Sequence, residues 1–406
     1  MFRFLVHLRR LAGALWLRVT LFAVLSVAAV VMAHFAAPLI PDQLDERFDA
    51  GSVVPLLEIL ASSMLAVSTF SVGIMVQSHR RAQESTTPRV LDLMLADGLT
   101  QTVLGVFVGA FVYALTALIL VQAGFDRGVA ILMGVTLAVA ASVVVALVRW
   151  IAHLSTLGTL RDALDRAEAQ ARTALKAHRR NAALGASPIA SESRLPAKAL
   201  TICARRSGVL QLIDLKGLAA CAPGAVWVLR RPGQQVLKGA PLMQLAGHAD
   251  EETRAAMLDC FELGDSRTFD QDPVYALTVL TEIALRALSP SVNDPGTAIE
   301  VISRLERLLW DWAQAEPGGD VGYPQVFVHP WTAADLLEAA FAPVARDGAP
   351  MLEVATQLID ALQGLGTAPD PSLAAAACAL EPRARAHAGA ALRLAGDAAR
   401  LPAETV

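Results

Sequence analysis

The chain has 406 residues, a formal net charge of −4, 54% hydrophobic residues and a mean hydropathy of +0.47. That hydropathy is high for a water-soluble chain of this size, and a near-neutral charge without a basic stripe leaves no ground for a nucleic-acid partner. Cys203, Cys221, Cys260 and Cys378 lack the spacing of a CxxC pair, and the eight histidines are scattered. No metal, cofactor or catalytic set is therefore expected, and the thiols read as buried or incidental.

Most of the apolar excess lies before residue 153. Leu15 to Ile40, Val53 to Gln77, Leu99 to Ala123 and Val129 to Ile151 each meet the roughly 20-residue length of a bilayer span. The first exceeds the roughly 7–15-residue core of a secretory signal, and no A-x-A site follows it, so it is expected to be retained. Basic residues near span ends mark the cytoplasmic side. Arg3, Arg9 and Arg10 precede span one, Arg80, Arg81 and Arg89 follow span two, and Arg149 closes span four. The loop after span one is acidic, with Asp42, Asp45, Glu46 and Asp49. The expected arrangement is a bacterial inner-membrane protein with the N-terminus and everything after residue 152 in the cytoplasm.

Three features within the spans bear on assembly. Gly105 and Gly109 in "GVFVG" have the spacing that lets helices approach closely, for packing within the chain or at a dimer seam. Span two carries Ser62, Ser63, Ser68, Thr69 and Ser71. Such hydroxyls serve either bundle packing or a polar cavity or pore. Glu58, about one turn from the outer end of that span, marks a functional site or reaches the headgroups.

Beyond span four, Leu157, Leu160, Leu164, Ala167, Ala171 and Ala174 alternate at three and four, the period of a coiled-coil seam. No proline falls between Val129 and Ser187, so span four is expected to run on as one helix of about 80 Å. Its seam suits self-association or the chain's own cytoplasmic domain. Residues 184–198 read as a linker.

"GVLQLIDL" and "AVWVLRRPGQQVLKGAPLMQL" combine β-branched residues with turns at Pro232-Gly233 and Lys238-Gly239, predicting short strands and a hairpin. The turn is loosely similar to biotin- or lipoyl-carrying hairpins, but Lys238 lacks the expected flanking Met, and a structural turn is expected. From Glu251 the pattern is helical. Asp272-Pro273 and Asp294-Pro295 each start an amphipathic helix. Asp caps the first turn, and Pro at the first helical position gives up no hydrogen bond. The tail after Val326, with His329 as a lone structural histidine, reads as further amphipathic helices.

"ALSPSVNDPGTAIEVISRL", residues 287–305, has two readings. One is a helix stop at Ser289-Pro290, a tight connector and a capped helix start. The other is an anion site at a helix N-terminus, with Arg286, Ser289, Asn293, Asp294 and Thr297 joined by Arg267, Gln271 and Asp272.

The stretch "QDPVYALTVLTEIALRALSPSVNDPGTA", with "GVLQLIDL", "RRPGQQVLKGAPL" and "VLGVFVGAFVYAL", resembles the bacterial predicted-membrane-protein family catalogued as domain of unknown function twenty-two fifty-four. The resemblance runs from about residue 15 to 365 and is most specific over 271–298. Ser291, Val292 and Gly296 stand where that family usually has Gly, Ile and Phe. The resemblance implies a multi-pass inner-membrane protein and supplies no activity.

The expected fold class is membrane α-helical, with four transmembrane helices, plus a cytoplasmic α+β region in which a small β-rich module precedes a helical domain. The expected divisions are 1–152 for the membrane domain, 153–198 for stalk and linker, 199–250 for the β-rich module and 251–406 for the helical domain. The expected function is a non-enzymatic homo-oligomeric assembly in the lipid bilayer, acting as channel, sensor or scaffold, with Glu58, Ser62 and Thr69 as its membrane polar residues and a small anionic ligand in the cytoplasm. The alternative is a membrane-face enzyme acting on an anionic or lipid-derived substrate.

Overall fold

The computed structural model describes residues 15–36, 50–85, 87–95, 97–123, 129–154, 157–189 and 199–403. The N-terminal arginines, the acidic loop at 42–49 and residues 190–198 of the expected linker lie outside the described residues. The chain divides into two compact units, meeting in sequence at Ala163 and Leu164.

The first unit holds α1 (Leu15–Ala36), α2 (Ala50–Ser85), the short α3 (Pro88–Leu95), α4 (Gly98–Gln122) and α5 (Val129–Leu154). Four of these, α1, α2, α4 and α5, are long and apolar enough to cross a membrane. α4 is the central helix. Val53 and Leu57 of α2, Phe107, Tyr113 and Ala114 of α4, and Trp150 of α5 form a common buried core. Gly105 and Gly109 let α1 lie close against α4. A Cβ at Gly105 would sit 2.5 Å from the Phe22 ring, and one at Gly109 would sit 3.2 Å from Ser26 Oγ. The small-residue pair therefore serves packing within the chain. Tyr113, in the middle of α4, donates its hydroxyl to Leu132 O at 3.2 Å and meets Thr136 Oγ1 at 3.0 Å, so its polar end is satisfied away from water.

Span four does not run on as one helix. α5 ends at Leu154, and α6 (Leu160–Arg180) starts afresh. Between them Leu157 and Gly158 form a turn with Gly158 at φ +76, packed on Ser78 of α2. The absence of proline left the helix unbroken in the sequence reading. A left-handed glycine breaks it equally well.

In the second unit, the chain runs through β1 (Ala186–Pro188), β2 (Leu200–Cys203), β3 (Gly208–Ile213), α7 (Leu215–Cys221), β4 (Val226–Val228), β5 (Gln235–Val236), β6 (Pro241–Leu245), α8 (Glu251–Asp259) and β7 (Phe261–Gly264). α9 (Pro273–Ala287), α10 (Pro295–Gln314), β8 (Tyr323–Val328), α11 (Ala333–Asp347), α12 (Leu352–Gly366), α13 (Pro371–Ala391) and α14 (Ala395–Ala398) complete it. One sheet has the order β1-β8-β4-β6-β2, with β8 parallel to both neighbours, and the other has the antiparallel order β5-β3-β7. Leu210, Leu218, Val226, Met243, Leu245 and Phe261 fill the core beneath them. Both sheets thus draw strands from outside 199–250: β1 comes from the expected linker, and β7 and β8 come from the stretch read as helical.

The helices after β7 form a layered bundle around α9, which is buried on nearly every face. The seam of α6 is buried as well, at Leu164, Ala167, Ala171 and Ala174. Its flank is tied to α10. Arg304 donates to Asp165 and Glu168, each at 2.7 Å, and Arg172 pairs with Asp311. The chain's own second unit therefore occupies the seam, rather than another copy of the stalk. Arg304, itself buried, also holds the exposed Glu300 at 2.7 Å.

Candidate functional site

The membrane polar residues fall on two faces of α2. Glu58, Ser62 and Thr69 are exposed, as are Ala66 and Gly73. At 100° per residue these five positions lie within roughly 80° of one another around the helix, so they form one stripe pointing out of the bundle. The Ser62 hydroxyl donates to Glu58 O at 2.8 Å, and that of Thr69 to Leu65 O at 2.9 Å. Ser68 and Ser71 are buried on the opposite side, and their hydroxyls have no partner among the described residues.

A polar cluster that the sequence reading missed lies at one end of the bundle. Asp97 caps α4, accepting from Leu99 and Thr100 N–H groups. Its carboxylate meets His153 Nε2 of α5 at 2.6 Å, and Arg18 of α1 donates to Gly98 O at 3.4 Å. The Asp-Gly step before an apolar run is a legible cap signal. The histidine lies 56 residues away, and no local pattern connects it.

The two Asp-Pro steps both cap helices in the second unit. Asp272 accepts from Tyr275 N–H at 3.0 Å, and Asp294 from Thr297 N–H at 3.1 Å and Thr297 Oγ1 at 2.6 Å. Their surroundings differ. Asp272 is 1% exposed and forks with Arg267, which donates from Nε at 2.8 Å and from Nη2 at 2.9 Å. Arg267 in turn lies over the Tyr275 ring. Burial pushes the Asp272 carboxyl above its ordinary range despite Arg267 and the cap. At the more open Asp294, hydrogen bonds from Thr297 hold the carboxyl below that range.

The expected site residues do not converge. α9 has 15 residues and so separates the two caps by about 22 Å. Arg267, Gln271 and Asp272 gather at its N-terminus, while Arg286, Ser289, Asn293, Asp294 and Thr297 surround the far corner. There the polar groups largely satisfy one another: Ser289 Oγ donates to Arg286 O at 2.6 Å, Asn293 N–H to Ser289 O at 2.9 Å and Asp294 N–H to Ala287 O at 2.8 Å. Asn293 is exposed at φ 51, a left-handed position that Asn tolerates better than most residues.

The other end of α9 borders a cavity of about 330 Å³, within the range of small-ligand pockets. Gln271 and Asp272 are in its wall, with Arg230, Arg231, Phe269 and Trp331. Gln271 behaves as a strand residue: its amide oxygen accepts Ile213 N–H at 2.9 Å, and its nitrogen donates to Ile213 O at 3.1 Å. The Pro232-Gly233 turn abuts Asp272. Gly233 has φ +92, and a Cβ there would collide with Asp272 Oδ2, so conformation and space both demand glycine. His178 of α6 is also at the wall and is neutral. Burial lowers its basicity, its Nδ1 must accept from the Trp312 N–H at 3.2 Å, and its Nε2 then donates to Trp331 O at 2.9 Å.

All four cysteines are free, and burial pushes the thiol of Cys260 up to about 12. Among the described residues no group of three or more His, Cys, Asp and Glu side chains could hold a metal ion.

Four apolar spans, followed by a mixed α/β region with small sheets and a helical end, define a multi-pass membrane protein. The chain belongs to the family described as "Predicted membrane protein (DUF2254)", which it matches over residues 12–364. It is similar to an uncharacterized protein of Mycobacterium bovis and one of Mycobacterium tuberculosis, each 26% identical over 310 residues, or 73% of this chain and 60% of the relative. The chain thus spans about 60% of the length of these curated relatives. No solved structure matches it.

Proposed function

We propose that this protein is a homo-oligomer of the bacterial inner membrane, non-enzymatic, acting as a channel, sensor or scaffold, with its N-terminus and second unit in the cytoplasm. The observation that carries the reading is the outward stripe of α2. Glu58 is the one acidic residue in the four apolar windows, and it points away from the protomer's own core with Ser62, Ala66, Thr69 and Gly73 beneath it. A carboxylate facing hydrocarbon is costly, whereas small residues favour close helix approach. A second copy laid along this stripe would cover both, and several copies arranged around it would line a polar path. The orientation draws support from Arg18, Asp97 and His153 sharing one end of the bundle, with Arg149 one turn from His153, as expected for a cytoplasmic face.

The test is the mass of the purified chain in detergent by size-exclusion chromatography with light scattering. The expected result is an integral multiple of the 42.9 kDa protomer, falling toward one protomer in Ser62→Leu/Thr69→Leu. A monomeric wild type would overturn the proposal.

A further inference from the structure

We infer that the cavity beside the N-terminus of α9 binds a small organic monoanion with a compact apolar body, such as an aromatic carboxylate. This goes beyond the oligomer reading and does not depend on it.

The carboxylates nearest the cavity are largely committed. Asp272 is forked by Arg267, and Asp335 accepts from Arg231 at 2.8 Å. One donor in the wall remains. Arg230, half-buried, gives only its Nε, to Pro241 O at 3.3 Å, and among the described residues no carboxylate lies within ion-pair distance of it. A ligand carboxylate would accept from the guanidinium nitrogens that Arg230 does not use, and a hydrogen bond to a charged group is worth more than one between neutral groups.

Arg230 offers one cation to a ligand. Arg231 is already neutralised by Asp335 and laid over the Trp331 ring at 4.1 Å. Burial and the field of Arg231 keep His329 below its ordinary basicity, so it adds no cation at neutral pH. Arg230 is thus the guanidinium open to a ligand carboxylate, and Asp270 in the same wall disfavours further negative charge. Phe269, Pro232, Ile213 and Val328 provide apolar surface for the rest of the ligand, and a space of about 330 Å³ holds a compact ring.

The experiment is isothermal titration calorimetry of benzoate, octanoate and ATP into the full-length protein in detergent. Benzoate is expected to bind more tightly than either alternative. Arg230→Ala should weaken benzoate by about tenfold to a hundredfold, the range for loss of a charge-assisted hydrogen bond. Arg230→Lys should retain part of the affinity. Ala177→Trp, which fills the cavity from α6 without touching any charge, should abolish binding at an unchanged melting temperature and so speaks even if Arg230→Ala is unstable. No heat from benzoate, equal binding in wild type and Ala177→Trp, or tighter binding of octanoate or ATP would each overturn the inference.

Discussion

Asn293 shows how a single residue can look like a site and serve as a corner. Its left-handed φ closes the turn that lets Asp294 N–H reach back to Ala287 O. Alanine in that conformation costs about 1 kcal/mol, and glycine nothing comparable. Asn293→Ala should therefore lower the melting temperature of the second unit measurably, while Asn293→Gly leaves it near wild type. The two capping aspartates should also respond oppositely to acid. Asp294 titrates below its unfolded value, so its stabilisation is complete above that value and is lost as pH falls through the folded one. Asp272 titrates above its unfolded value, so its contribution is most favourable below that value and declines as pH rises through the folded one. Thermal melts of wild type and Asp294→Ala should accordingly converge as pH is lowered from neutrality to about 3, and a constant difference would contradict the cap's role.

At the scale of elements, Arg304 is the central fastening of α6 on α10. Its side chain is 10% exposed and holds Asp165, Glu168 and Glu300 together. Removing it leaves Glu168 with Arg172 and lets Asp165 and Glu300, both exposed, turn to water, so Arg304→Ala should cost about 1 kcal/mol, the upper end for partly exposed pairs, read as a lower denaturant midpoint. What the sequence made legible was local. Asp-Pro steps announced the starts of α9 and α10, and hydropathy alone delimited the four spans. Pairings between distant segments were not legible. β1 and β8 lie about 137 residues apart, as the Ser187–Pro324 hydrogen bond shows, and neither carries an alternation strong enough to mark a strand alone. The cavity was hidden for the same reason. Gln271 and Asp272 stood out in a dense motif, whereas Arg230 and Trp331 come from other segments and enter the wall only through the fold.

At the scale of the whole molecule, a membrane bundle carries a polar stripe on its outside, and a separate α/β unit carries a cavity walled in part by Arg230. Assembly along α2 is the central claim, and disulfide cross-linking in native membranes tests it most directly. With Cys203, Cys221, Cys260 and Cys378 replaced by serine, Ser62→Cys on the stripe is compared with Val145→Cys, which is exposed on α5. The account predicts oxidised dimers from Ser62→Cys and almost none from Val145→Cys. Equal cross-linking at both positions, or none at Ser62→Cys, would contradict it.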